Sequence, residues 1–234
     1  MKILIVTGGR ISLPFAADFI RLRVFDRIIA ADSGLAACRD LGLTPTDILG
    51  DFDSLKNRDL LTHYREMGIP VREFPSRKDY TDTELAVFYA RDLWMGDPEE
   101  KAKDCSLYSP DSESRVWILG ATGTRLDHTL SNLGALVTMT DLGIPCTILD
   151  EHNEIELLKG PAEKKYLPRS PRDYISLLSL SGTARGIDLI GFSYPMKDGE
   201  LPPYVSLGIS NEITEKEATL RLKEGSLLVI RAQD

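Results

Sequence analysis

The chain has 234 residues, enough for one large domain or two small ones, and its 42% apolar and 27% charged content is that of a globular protein. A formal net charge of −8 without any basic run excludes a general nucleic-acid binder, because contacts to phosphate backbones need clustered Lys and Arg. Cys38, Cys105 and Cys146 lie far apart with no Cys-x-x-Cys, which excludes a zinc ribbon and a disulfide framework and fits reduced thiols in a cytoplasmic protein.

The opening run Met1–Val6 stops at Thr7-Gly8-Gly9-Arg10, too short for a secretory signal, and reads as a buried strand. No apolar run is long enough to cross a bilayer. Strands are predicted at Ile3–Val6, Arg27–Ala31, Asp47–Leu49, Val71–Phe74, Val116–Leu119 and Cys146–Leu149. Helices are predicted between them at Pro14–Arg21, Leu35–Leu41, Leu55–Met67, Asp82–Leu93 and Leu126–Leu142. This alternation argues for βαβ units and a Rossmann-like parallel sheet over residues 1–152. The polar segment Gly96–Ser114 has no strong period and reads as an excursion. From residue 153 the strands become short and close together: Ile155–Leu158, Tyr174–Leu180, Ala184–Ile190, Ala218–Leu222 and Leu227–Ile230, with turn signals at Ser181-Gly182, Asp198-Gly199 and Glu224-Gly225. Residues 153–234 therefore read as a smaller all-β domain, a sandwich or partial barrel, with the boundary within Asn153–Pro171.

The chemistry-bearing residues fall just after predicted strands, where open parallel sheets bind ligands. Asp32-Ser33-Gly34 follows the second strand, Gly50-Asp51-Phe52-Asp53-Ser54 the third, and Lys78-Asp79-Tyr80-Thr81-Asp82 the fourth. Thr122-Gly123-Thr124-Arg125 and Asp127-His128 follow the fifth. Asp51 and Asp53, two apart in an extended segment, point to one side and can share a cation; oxygen ligands favour Mg²⁺, which brings a polyphosphate. The competing reading makes Asp53 or Ser54 a helix cap. Thr81 and Glu84 fit a capping box, in which Asp82 is either an acid favoured by the helix dipole in the first turn or also presented to a metal. Leu126, Leu130, Leu133 and Val137 share a helix face and are expected in the core. Arg125, His128, Thr129 and Asn132 line the opposite face, starting at a helix N-terminus suited to anions; Arg125 would grip phosphate oxygens. The Gly8-Gly9 turn offers backbone N–H groups to a nucleotide, without a Walker or Gly-x-Gly-x-x-Gly motif.

These residues together resemble the thiamine pyrophosphokinase family. The resemblance rests on Ala31–Gly34, Gly50–Ser54, Lys78–Asp82, Leu119–Leu133 and Gly208-Ile209-Ser210-Asn211-Glu212, in order over nearly the whole chain. It implies an α/β domain followed by a β-domain, and a homodimer with active sites between subunits. The implied reaction moves pyrophosphate from ATP to thiamine, giving thiamine diphosphate and AMP. By position it implies Asp51, Asp53 and Asp82 as magnesium ligands, with Asp79 and Asp32 nearby. It places Gly8, Asp32, Ser33, Thr122, Gly123, Arg125, Asp127 and His128 in the ATP site. It implies Ser210 and Asn211 as thiamine contacts, and Tyr194, where the family often has Trp, as a ring to stack on thiamine.

The expected mechanism is positioning and charge neutralisation: a metal on Asp51, Asp53 and Asp82, Arg125 on the phosphates, and Asp79 as the choice of base if one is needed. Two other readings fit the acids. A nucleotide-sugar glycosyltransferase also holds a metal on Asp-x-Asp and would release a nucleoside diphosphate. A thiamine or nucleotide sensor would bind without turnover.

Overall fold

The structure is a computed structural model that describes residues 1–53, 55, 58–96, 114–170 and 173–233. Cys105, Ser54 and all but the two end residues of the Gly96–Ser114 excursion lie outside the described residues. The chain divides into two compact units, Met1–Glu151 and His152–Asp234.

The first unit is mixed α/β. Its strands are β1 (Lys2–Val6), β2 (Arg27–Ala31), β3 (Asp47–Gly50), β4 (Val71–Glu73), β5 (Arg115–Leu119) and β6 (Cys146–Leu149), in the order β6-β5-β1-β2-β3-β4. Every pairing among them is parallel. Its helices are α1 (Leu13–Arg21), α2 (Gly34–Asp40), α3 (Asp59–Glu66), α4 (Asp82–Met95) and α5 (Leu126–Asp141). Ile3, Leu4, Ile5 and Val6 are all fully buried, as expected for a central parallel strand covered on both faces. Each such side chain contributes about 1.5–3 kcal/mol. The order reverses at β1, which has β2 on one side and β5 on the other, so the switch point lies beyond the carboxyl ends of β1 and β5.

α5 has the expected length but the opposite phase. Leu126, Leu130 and Val137 are 69%, 58% and 44% exposed, while Asn132, Ala135, Leu136 and Met139 are buried. Two apolar stripes compete on this helix, and the Asn132 amide decides between them by donating to the Ala121 carbonyl at 2.7 Å. α3 starts at Asp59, with Arg58 at its N-cap, so Asp53 does not cap it.

The second unit is all antiparallel. Its strands are β7 (Asn153–Lys159), β8 (Ala162–Tyr166), β9 (Asp173–Leu178), β10 (Ala184–Ile190), β11 (Met196–Leu201), β12 (Asn211–Glu212), β13 (Ala218–Leu222) and β14 (Ser226–Gln233). One set runs β12-β9-β14-β7 and the other β11-β10-β13-β8. Tyr166, Ile187, Leu220, Ile175 and Val229, drawn from both sets, share one apolar cluster. β8, β11 and β12 are strands the sequence does not announce. β8 and β11 are edges rich in Lys, Glu and Asp, the composition that protects an edge from pairing with another chain. Asp198-Gly199, expected as a turn, sits inside β11, with Asp198 at φ 49° opposite register shifts in β10. A buried ion pair locks this unit: Arg231 and Asp173 are 9% and 8% exposed, and the Arg231 Nε donates to Asp173 Oδ1 at 2.6 Å.

Candidate active site

The carboxyl ends of β1, β2, β3 and β5 meet through backbone contacts that only small residues permit. Gly9 N donates to the Gly120 carbonyl at 3.0 Å. A Cβ on Gly9 would lie 2.1 Å from that oxygen and 2.6 Å from the Thr122 oxygen, so glycine is required where the β1 and β5 loops touch. A Cβ on Gly8 would land 2.1 Å from Ser33 Oγ. Gly8, Asp32, Ser33, Thr122 and Gly123 are thereby gathered at the switch point. Thr122 is tied down by its hydroxyl, which donates to Asp150 Oδ2 at 2.8 Å.

The acids follow from the same crowding. A Cβ on Gly50, which sits at φ 149°, would lie 3.0 Å from the Asp32 Cα and N, so glycine lets the end of β3 run against Asp32, which itself turns with φ 49°. Phe52, at φ 56° and 2% exposed, drops its ring into the apolar cluster beside Leu55, Leu60 and Leu61. With Phe52 anchored inward, Asp51 and Asp53 are left on the outer side, and the Asp53 N–H donates to Asp51 Oδ1 at 3.2 Å. Positive φ at two non-glycine residues carries a cost of order 1–3 kcal/mol each, tolerated where the surroundings fix the chain. The result is that Asp32, Asp51 and Asp53 each offer an oxygen, all within 4.8 Å of one another. An all-oxygen, all-carboxylate donor set of this size fits a hard divalent cation such as Mg²⁺.

Asp82 opens α4, behind the capping box in which Glu84 N donates to Thr81 Oγ1 at 3.1 Å and Thr81 N to Glu84 Oε2 at 2.9 Å. It meets the cluster through Lys78, whose Nζ donates to both Asp51 Oδ2 and Asp82 Oδ1 at 2.8 Å. The Lys78 ammonium holds the Asp51 carboxyl below the ordinary carboxylate range. Burial pushes the Asp82 carboxyl up, against the pull of Lys78. Burial works against the Lys78 charge, yet its hydrogen bonds to Asp51 and Asp82 leave it more basic than a free lysine. The tight trio is thus Asp32, Asp51 and Asp53, with Asp82 joined through the Lys78 ammonium, whereas the family resemblance groups Asp82 with Asp51 and Asp53 as ligands. Asp79 is exposed and stands outside the trio. Lys78 gains its role only in three dimensions: in sequence it adjoins Asp79 and Asp82 alone, and the fold brings Asp51 to it.

Arg125 is the N-cap residue of α5 and lies exposed. Its Nη2 and Nε donate to the two oxygens of Asp127 at 2.5 and 3.2 Å, which holds the Asp127 carboxyl down at about 2. Asp127 also accepts from the His128 N–H at 3.0 Å. The Arg125 fork is therefore formed and solvent-facing, with His128 beside it.

In the second unit, Asn211 is 5% exposed and its amide is used on backbone: Nδ2 donates to the Tyr194 carbonyl, and Oδ1 accepts from Tyr194 N, both at 2.9 Å. Ser210, at φ 56°, donates its N–H to Ser176 Oγ at 3.0 Å. Asn211 thus fixes the Tyr194 segment to β12. A cavity of about 320 Å³ opens there, lined by Tyr194, Met196, Leu207, Ile209 and Asn211 among others. Tyr194 is 72% exposed.

An α/β sheet with its switch point lined by glycine turns, an acidic trio and an arginine at a helix start defines a phosphoryl-transfer class of site. Comparison with known proteins narrows it. The family model for the thiamin pyrophosphokinase catalytic domain matches residues 22–148, and that for the thiamin pyrophosphokinase vitamin B1 binding domain matches residues 164–227. The chain belongs to the thiamine pyrophosphokinase family. It is 28% identical over 206 residues to a Bacillus subtilis protein named thiamine pyrophosphokinase, covering 88% of this chain and 87% of that one. The crystal structure of thiamine pyrophosphokinase from Bacillus subtilis superposes with a TM-score of 0.80 at 26% identity, with full coverage of both chains. That from Geobacillus thermodenitrificans gives 0.78 at 27% identity, covering 100% of this chain and 98% of the other.

Proposed function

We infer that this chain transfers the pyrophosphoryl group of ATP to the hydroxyl of thiamine, releasing AMP. The observation that carries this reading is the gathering of Asp32, Asp51 and Asp53 at the switch point of a chain matched by both family models. In the reaction the thiamine hydroxyl oxygen bonds to the β-phosphorus of ATP. The bond from that phosphorus to the α–β bridging oxygen breaks, and AMP leaves with the oxygen. The hydroxyl proton passes to solvent, with the exposed Asp79 carboxylate as the proposed acceptor if a base takes part.

The acids form the proposed Mg²⁺ site, with Asp32, Asp51 and Asp53 as its ligands and Asp82 joined to it through Lys78. A Mg²⁺ held by these acids would supply charge neutralisation for the phosphate oxygens. The Gly8 and Thr122-Gly123 turns let a phosphate chain approach the backbone at the switch point, and Arg125, oriented by its hydrogen bonds to Asp127, supplies guanidinium donors for phosphate oxygens. The exposed ring of Tyr194 above the second-unit cavity is the proposed stacking surface for the thiamine rings. The fold is read as Rossmann-like followed by an all-β sandwich or barrel, with domains at 1–152 and 153–234, in a cytoplasmic homodimer. The exposed Leu126, Leu130 and Val137 row on α5 supports the dimer, as a surface a second copy would cover. Among the described residues no helix is long and apolar enough to cross a membrane.

The test is release of AMP from ATP that depends on both thiamine and Mg²⁺. Release of a nucleoside diphosphate, or ligand-induced stabilisation without turnover, would refute the assignment in favour of glycosyl transfer or of a sensor.

A further inference from the structure

Lys78 stands beside the acids assigned above to a divalent ion, and its ammonium already holds one of them, Asp51, together with Asp82. Its Nζ donates to Asp51 Oδ2 and Asp82 Oδ1, both at 2.8 Å. The side chains of Lys78, Asp51 and Asp82 are only 13%, 10% and 21% exposed. The other oxygen of Asp51 is occupied as well, by the Asp53 N–H at 3.2 Å. Lys78 comes from the loop between β4 and α4, whose far end is fixed by the Thr81–Glu84 capping box. An ion entering the acids therefore meets a tethered positive charge at the carboxylate it needs. An ammonium is a compact point charge with three donors, and it does not share a carboxylate oxygen with a divalent ion without strong repulsion.

Building on the reading of these acids as an ion site, we propose that Lys78 is a positioning residue that serves as an exchangeable counter-cation for Asp51 and Asp82. In the ion-free protein it neutralises and orients both carboxylates. When ion and nucleotide arrive together, Asp51 passes to the ion and the ammonium turns to the incoming polyphosphate. A free ion brings no such acceptor, so it competes against Lys78, whereas an ion carried by the nucleotide does not. Lys78 thereby couples ion binding to nucleotide binding.

The test is Mn²⁺ binding followed by electron paramagnetic resonance, with and without a non-hydrolysable ATP analogue, on wild type, Lys78→Met, Lys78→Arg and Asp51→Asn. Without nucleotide, Lys78→Met is expected to bind Mn²⁺ at least about tenfold more tightly than wild type, and Lys78→Arg to stay within a few-fold of it. With the analogue present, the advantage of Lys78→Met disappears. Unchanged or weaker Mn²⁺ binding by Lys78→Met without nucleotide, as expected if Lys78 merely supports the loop, overturns the proposal. Lys78→Gln serves the same comparison if circular dichroism shows Lys78→Met unfolded. If Asp51→Asn binds Mn²⁺ as wild type does in the presence of the analogue, the ion-site reading itself falls, and the role of Lys78 falls with it. If Asp51→Asn loses the ion while Lys78→Met gains nothing, only the role of Lys78 is overturned.

Discussion

Replacing Asp51 by Asn preserves the shape of the side chain and removes one negative charge from the end of β3. In the native protein this charge lies within 4.8 Å of oxygens of Asp32 and Asp53 and 2.8 Å from the Lys78 ammonium. At an effective dielectric of about 20, each repulsion is worth roughly 3 kcal/mol and the attraction roughly 6 kcal/mol, so the opposing contributions offset. The fold should therefore change in stability by no more than about 1–2 kcal/mol, a shift of a few degrees in melting temperature. Activity should behave differently. Loss of one preorganised charge contact to the reacting phosphates costs about 10² or more in rate, equivalent to about 2.7 kcal/mol. The assay is thiamine-dependent AMP release in saturating Mg²⁺, paired with thermal melts with Mg²⁺ and with EDTA. The wild type should be stabilised by Mg²⁺ with nucleotide, and Asp51→Asn should not. Near wild-type turnover in Asp51→Asn would refute the reasoning, and so would inactivation that merely follows unfolding at the assay temperature.

Thr81→Ala removes the hydroxyl that accepts from Glu84 N at 3.1 Å and should cost about 1 kcal/mol in urea unfolding. Asp173→Ala leaves the buried Arg231 guanidinium unpaired and should cost about 3–5 kcal/mol by the same measurement. Burial pushes the Cys38 and Cys146 thiols up from 9.0 to about 12. A raised folded-state value favours the neutral thiol, so the contribution is fully present below the unfolded-state value and is lost as pH rises from about 9 toward 12. Each thiol should take away about 1.4 kcal/mol between pH 7 and pH 10, and Cys38→Ala should flatten that part of the denaturation-versus-pH curve. Leu130→Glu places a charge in the exposed row on α5, and light scattering should find the variant monomeric if that row is the dimer surface.

The parallel sheet and its helices are legible in the sequence because a strand buried on both faces reads as a short β-branched run, as Ile3–Val6 does, between helix-period segments. The acids are legible too, because Asp51 and Asp53 flank a phenylalanine that must go inward, which fixes the side both carboxylates take. The face of α5 is not legible. Its two apolar rows are equivalent by period, and the choice is made by a polar residue, Asn132, bonding to a distant loop. The same holds in the β-unit, where the edge strands β8 and β11 carry alternating charges instead of an apolar run, and Asp198-Gly199 bends a strand without ending it. The place of Lys78 depends on three-dimensional proximity between two loops, which no spacing within either loop encodes.

The most direct test of pyrophosphoryl transfer at this site is phosphorus NMR on the products from thiamine, Mg²⁺ and ATP carrying ¹⁸O in the α–β bridge. Attack at the β-phosphorus places the label in AMP and leaves thiamine diphosphate unlabelled. The appearance of ADP with thiamine monophosphate, or of labelled pyrophosphate, would contradict the account.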